Sequence, residues 1–106
     1  MRRRETRFPT PYLDIVIRVE IFYQNRRYVC MLWDVSPGGC CLRMRTALPI
    51  GEALRLVICS PNGEETIETT GRLQWINPLG EMHYAGLVFD ERVDFSQTFL
   101  RQLMHQ

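Results

Sequence analysis

LDIVIRVEIFYQNRRYVCMLWDV, residues 13–35, is the stretch on which the fold turns. In its first half Leu13, Ile15, Ile17, Val19, Ile21 and Tyr23 alternate with Asp14, Arg18 and Glu20. A period of two is that of a strand with one face in the core. Gln24 and Asn25 supply a turn, and residues 26–35 resume with Tyr, Val, Leu and Trp, types that fit a pleated surface. The two segments are expected to form a hairpin. Trp33, next to Leu32 in a partly buried strand, reads as a structural residue.

Working outward, Ser36-Pro37-Gly38-Gly39 breaks any strand. Cys40, Leu42 and Met44 then alternate with Cys41, Arg43 and Arg45 as a third strand with a mainly polar outer face, closed by Pro49 and Gly51. Residues 54–59 read as a fourth strand and Pro61-Asn62-Gly63 as a turn. In a fifth strand, residues 66–77, Glu68, Thr70, Arg72 and Gln74 form the polar row. Ile67, Thr69, Gly71, Leu73 and Trp75 form the less polar one. Asn77-Pro78-Leu79-Gly80 reads as a turn into a sixth strand, residues 83–89. Six short, mostly hairpin-linked strands predict an all-β fold, a six-stranded antiparallel barrel that hides its edges. Phe95, Phe99, Leu100, Leu103 and Met104 recur at helical spacing. Asp94 and Gln97 offer an N-capping arrangement, so a C-terminal α-helix over 94–105 is expected to pack on the barrel.

With 106 residues, 45% of them apolar, the chain is sized for one domain with one core. The expected plan is an arm at 1–11, a barrel at 12–90 and the helix. A net charge of +1 argues against holding nucleic acid by bulk electrostatics. All 13 basic residues are arginine, whose planar guanidinium forks phosphate and stacks on flat rings. Cys30, Cys40, Cys41 and Cys59 form no C-x-x-C pair and have no histidine at zinc-finger spacing, so no metal or other cofactor is expected. They read as reduced, packed thiols of a cytoplasmic protein, since no signal peptide is visible. No apolar run approaches the roughly 20 residues that span a bilayer. His83 and His105 lack a nucleophile or metal-ligand spacing, and Glu64 and Glu65 read as solvated. No enzyme is expected.

Two segments are left over: Arg2-Arg3-Arg4-Glu5-Thr6-Arg7, and Asp34-Val35-Ser36-Pro37-Gly38-Gly39. Taken singly, the first is an ordinary solvated terminus and the second an ordinary turn in which Asp and Ser cap their own backbone. In this order and placement they resemble the PilZ family, known by an Arg-x-x-x-Arg pair before the first strand and an Asp/Asn-x-Ser-x-x-Gly turn after the second. Arg3 and Arg7 match the former, and Asp34, Ser36 and Gly39 the latter. Gly71-Arg72-Leu73-Gln74-Trp75 and Ala85-Gly86-Leu87-Val88-Phe89 look like the family's last two strands.

The resemblance implies a bacterial receptor for the second messenger cyclic di-GMP. Each guanine of that ligand offers adjacent acceptors that a guanidinium binds in bidentate fashion. Arg2, Arg3, Arg4 and Arg7 are assigned by it to guanine and phosphate. Asp34 can accept from guanine N–H groups, Ser36 can bond phosphate or base, and Gly38 and Gly39 let the backbone approach closely. Two readings of Trp75 stay open, a stacking face and a core residue. Arginine at Arg2 is compatible with an intercalated ligand pair, so two ligands per chain are expected. The resemblance further implies that the arm orders over the ligand and signals to a protein effector in motility, pili or exopolysaccharide machinery. Met1 and the full set of elements favour a stand-alone unit. A nucleotide-independent PilZ-like adaptor and a single-strand nucleic-acid binder are the alternatives.

Overall fold

A computed structural model of the chain describes residues 16–101. Its six strands are β1 (Arg18–Tyr23), β2 (Arg26–Ser36), β3 (Gly39–Met44), β4 (Ala53–Cys59), β5 (Thr66–Leu79) and β6 (Met82–Phe89). Each pairs antiparallel with its neighbours in the order β1-β2-β3-β6-β5-β4, and β4 returns to β1 to close a barrel. Alternation fills the interior: Val19 and Ile21 from β1, Leu42 from β3, Leu56 and Ile58 from β4 and Leu73 from β5 are fully or almost fully buried. Gln24 and Asn25 form the first turn with φ of 52° and 63°. Positive φ at both central positions gives a two-residue turn the twist that paired strands need.

Apart from one-residue shifts at the starts of β4 and β6, the strand bounds depart from the sequence reading in three places. β1 begins at Arg18 rather than Leu13; residues 13–15 lie outside the described residues. The Ile17 carbonyl still accepts from the Leu32 N–H at 2.9 Å, and regular pairing stops there, next to an irregularity in β2. The Ser36-Pro37-Gly38-Gly39 break shrinks to Pro37-Gly38, because Ser36 and Gly39 pair as the last rung of the β2–β3 hairpin. β5 runs through Asn77 and Pro78 to Leu79 and turns only at Gly80 and Glu81, Gly80 having φ 63°. Beyond Arg72, β5 pairs with β6 and no longer with β4, so the N–H that Pro78 lacks falls on an edge, where proline is tolerated.

Two β-bulges matter more than these ends. In β2, Leu32 pairs with Leu42 and Asp34 with Cys41, which leaves Trp33 as an extra residue. In β5, Leu73 pairs with Leu87 and Trp75 with Gly86, which leaves Gln74 extra. Each insertion inverts the inside–outside alternation downstream. Asp34 and Trp75 would continue the inward rows of Leu32 and Leu73 in regular strands. The bulges turn both onto the outer surface, while Val35 is buried and Ile76 packs against the core.

After β6 the chain covers the core with Phe95 and Leu100, both buried, and Phe95 meets Phe89 at 6.3 Å. The Asp94 carboxylate accepts from the Ser96 N–H at 2.9 Å, a local turn bond rather than the helix cap expected with Gln97, and this bond holds its pKa below the usual range. The helix expected over 94–105 is not shown: residues 96–99 form turns and a bend, only Leu100 and Arg101 of the described residues are helical, and 102–106 lie outside the described residues. Among the described residues no helix is long and apolar enough to cross a membrane.

Candidate functional site

The Asp-x-Ser-x-x-Gly turn is pinned from both sides. Ser36 is fully buried, and its hydroxyl donates to the Gly39 carbonyl in a long bond of 3.5 Å. The Gly38 carbonyl accepts from the Phe89 N–H and the Pro37 carbonyl from the Val93 N–H, both at 2.9 Å. This ties the β2–β3 hairpin to the end of β6. Gly39 is required by proximity rather than by φ, which is not positive. A Cβ there would run into the carbonyl oxygen of Leu87 on β6. The glycine is thus demanded by a close approach of two backbones.

The residues brought together lie on one rung across four strands. Asp34 of β2 pairs with Cys41 of β3, Cys41 with Gly86 of β6, and Gly86 with Trp75 of β5. Three strand spacings put the backbones of Asp34 and Trp75 about 14 Å apart. An open groove of about 340 Å³ lies over this rung, lined by Asp34, Gly38, Gly39, Cys41, Trp75 and Gly86 among others. Trp75 lies against Gly86 so closely that a Cβ at Gly86 would overlap the indole. The groove thus offers a carboxylate at one end, an indole at the other and a floor of Cys41 and Gly86 between. Such a set suits a flat heterocycle with N–H donors: the carboxylate accepts and the indole stacks.

Of the sequence-predicted residues, Asp34, Gly38, Gly39 and Trp75 line the groove, and Ser36 does not, because its hydroxyl is turned into the hairpin. Trp75 is an outer-face residue and not a core one. Arg2, Arg3, Arg4 and Arg7 lie outside the described residues. Sequence reasoning missed Cys41, Gln74 and Gly86 as lining residues. Only Gly86 carried a signal, since glycine inside a strand marks a close approach.

It also missed an aromatic chain beside the groove. Trp33, taken from the sequence as structural, sits on the outer face with its ring edge-on to Tyr84 at 5.3 Å. Tyr84 in turn meets Trp75 at 5.6 Å. The Arg43 guanidinium lies 5.5 Å from the Trp33 ring centroid, and its Nε is buried with no hydrogen-bond partner. Four other described arginines are matched by acids: Arg18 and Arg27 by Glu20, Arg55 by Glu68 and Arg72 by Asp90.

The family model of the PilZ domain matches residues 1–106. No curated protein matches the chain. Among the solved structures similar to it over 98% of its length are the following three. The Bacillus subtilis inhibitor of motility MotI/DgrA is 24% identical with a TM-score of 0.69, the chain covering 50% of it. The PilZ domain of Escherichia coli YcgR with c-di-GMP is 21% identical with a TM-score of 0.66, 87% of it covered. The K. pneumonia MrkH–c-di-GMP complex is 20% identical with a TM-score of 0.73, 50% of it covered. The chain therefore spans half the length of the first and third of these.

Proposed function

Since the chain belongs to the PilZ domain family, we propose that it is a receptor for cyclic di-GMP, the groove over the Asp34–Cys41–Gly86–Trp75 rung being the barrel's half of the site. The observation that carries this reading is that bulges in two separate strands turn Asp34 and Trp75 out of the core onto one rung. A fold maintained for stability alone gains nothing from exposing them. Two of the similar structures, those of the YcgR PilZ domain and of MrkH, are complexes with c-di-GMP. In this chain the Asp34 carboxylate accepts guanine N–H groups and the Trp75 face stacks on the base. Arg3 and Arg7 fork guanine acceptors and phosphates from the N-terminal side. Gly38 and Gly39 keep the backbone low, and Ser36 supports the hairpin from within. Arg2 and Arg4 supply the added charge for a second, intercalated ligand.

The reading is of binding rather than catalysis, in a bacterial cytoplasm, with ordering of the arm over the ligand as the signal to a protein effector. The apolar spacing of Phe95, Phe99, Leu100, Leu103 and Met104 supports a C-terminal helix as the barrel's cover. Calorimetric titration tests the site. Arg3→Ala, Arg7→Ala and Asp34→Ala should each weaken cyclic di-GMP binding roughly 10- to 100-fold, the loss expected for one charge-assisted hydrogen bond. The ratio should be two ligands per chain, falling toward one in Arg2→Leu. Wild-type affinity in all three alanine variants would overturn the site, and binding of a short oligonucleotide in preference to cyclic di-GMP would overturn the ligand.

A further inference from the structure

The groove's indole wall does not stand on its own strand alone. Trp75 follows a bulge, where the backbone departs from the regular ladder and leaves a side chain less guided by cross-strand neighbours. On its groove side Trp75 meets Gly86, which sets its height above the sheet but, lacking a side chain, not its tilt. It also meets Tyr84, two residues before Gly86 on β6, with ring centroids 5.6 Å apart and planes 59° apart. Tyr84 is itself held edge-on by Trp33 at 5.3 Å and 84°. Trp33 reaches that place because it is the extra residue of the other bulge, and the Arg43 guanidinium lies over its ring. The rings and the guanidinium thus form one chain from β2 and β3, across β6, to the Trp75 wall. Edge-to-face and tilted aromatic contacts have preferred geometries, so each ring restricts the next.

We infer that Tyr84 and Trp33 are positioning residues that fix the tilt of the Trp75 indole, and so set how tightly the groove stacks a guanine. This rests on the receptor reading of the same groove. Neither residue needs to touch the ligand. Pre-setting the wall removes the ordering cost that a mobile indole would add to binding, which is how preorganisation raises affinity.

The test is a double-mutant cycle with a ligand-independent readout. Tyr84→Leu, which keeps an apolar side chain on β6, should weaken cyclic di-GMP binding roughly threefold to tenfold, while Tyr84→Phe, which keeps the ring, should stay within about twofold. In a Trp75→Ala background Tyr84→Leu should cost less than about twofold more, because nothing is left to position. The tryptophan band of the near-ultraviolet circular dichroism of the ligand-free protein, at longer wavelengths than tyrosine or phenylalanine absorbs, should change in Tyr84→Leu and not in Tyr84→Phe. Melting temperatures identify any variant that has lost its fold, in which case Trp33→Leu takes its place in the binding cycle. Full additivity of Tyr84→Leu and Trp75→Ala, or an unchanged tryptophan band in ligand-free Tyr84→Leu, overturns the inference. If the wild-type protein binds no cyclic di-GMP, the receptor reading fails and the ligand-free spectra alone decide the positioning.

Discussion

Four cysteines occupy two kinds of place. Cys30, Cys40 and Cys59 are buried, and burial pushes the Cys30 thiol up to about 12. At pH 8 such a thiol is ionised to about one part in ten thousand, and the thiolate is the reactive form. Cys41 is half-buried and lines the groove beside Asp34 and Gly86. Ellman's reagent at pH 8 should therefore label one thiol quickly in the native protein and the other three only on unfolding. Cys41→Ser should remove the fast phase, and saturating cyclic di-GMP should slow it. Four thiols reacting at one rate would show that the groove does not present Cys41 as described. From the sequence, Cys41 was visible as an outward member of a strand and nothing more. Its place on the floor of a site depends on β6, through the pairing of Cys41 with the distant Gly86.

The β1–β2 hairpin shows which parts of an element are local. Its alternation, its Gln24-Asn25 turn and its register all follow from neighbouring residues, and all were legible. It also carries a charge cluster on its outer face, where Glu20 meets Arg27 at 2.8 Å and Arg18 at 3.2 Å. The Arg27 hydrogen bond, with the nearby positive charge, holds the Glu20 carboxyl below its ordinary value of 4.5, against a smaller upward push from burial. A carboxyl whose folded pKa is lowered adds stability that is fully present above its unfolded pKa. That stability is lost as pH falls through the folded value. Glu20→Gln should accordingly lower the melting temperature at pH 7 by on the order of 1–4 °C, the scale of an exposed, salt-screened pair. The gap between variant and wild type should close on acidification below pH 4. A gap that persists undiminished at pH 2.5 would mean that packing, and not the ion pair, is what the substitution removes. The second half of β2 is different in kind, because the Trp33 bulge is defined only by how β3 lies against it.

At the scale of the molecule, the ring closes within the described residues, since β1 pairs with both β2 and β4. The Cα radius of gyration is 12.9 Å, the value of about 13 Å that a compact domain of this length should have. All six strands of the ring lie within residues 18–89, outside residues 1–11. Deleting them should leave a single cooperative unfolding transition within about 5 °C of the full chain. Cyclic di-GMP affinity should fall by more than about 100-fold, because several charge-assisted bonds go at once. Retained affinity would remove the arginines from the site, and loss of cooperative unfolding would make the arm part of the fold.

Periodicity, turn chemistry and two short motifs determined the six strands, most of their ends, the apolar rows of the core and the identity of the Asp34 turn, because all of these are written in residues within a few positions of one another. The facing of Asp34 and Trp75 was decided by the tertiary structure alone. Leu73-Gln74-Trp75 reads as unbroken alternation, and an extra residue in a ladder has no local signature. Only the opposing strand, with Leu87 against Leu73 and Gly86 against Trp75, shows that Gln74 is the surplus one. The same holds for Gly39, whose requirement was legible but whose cause is the backbone of Leu87 on a strand far along the chain. Side-chain direction along a strand is a property of the pair, and a sequence presents its strands one at a time.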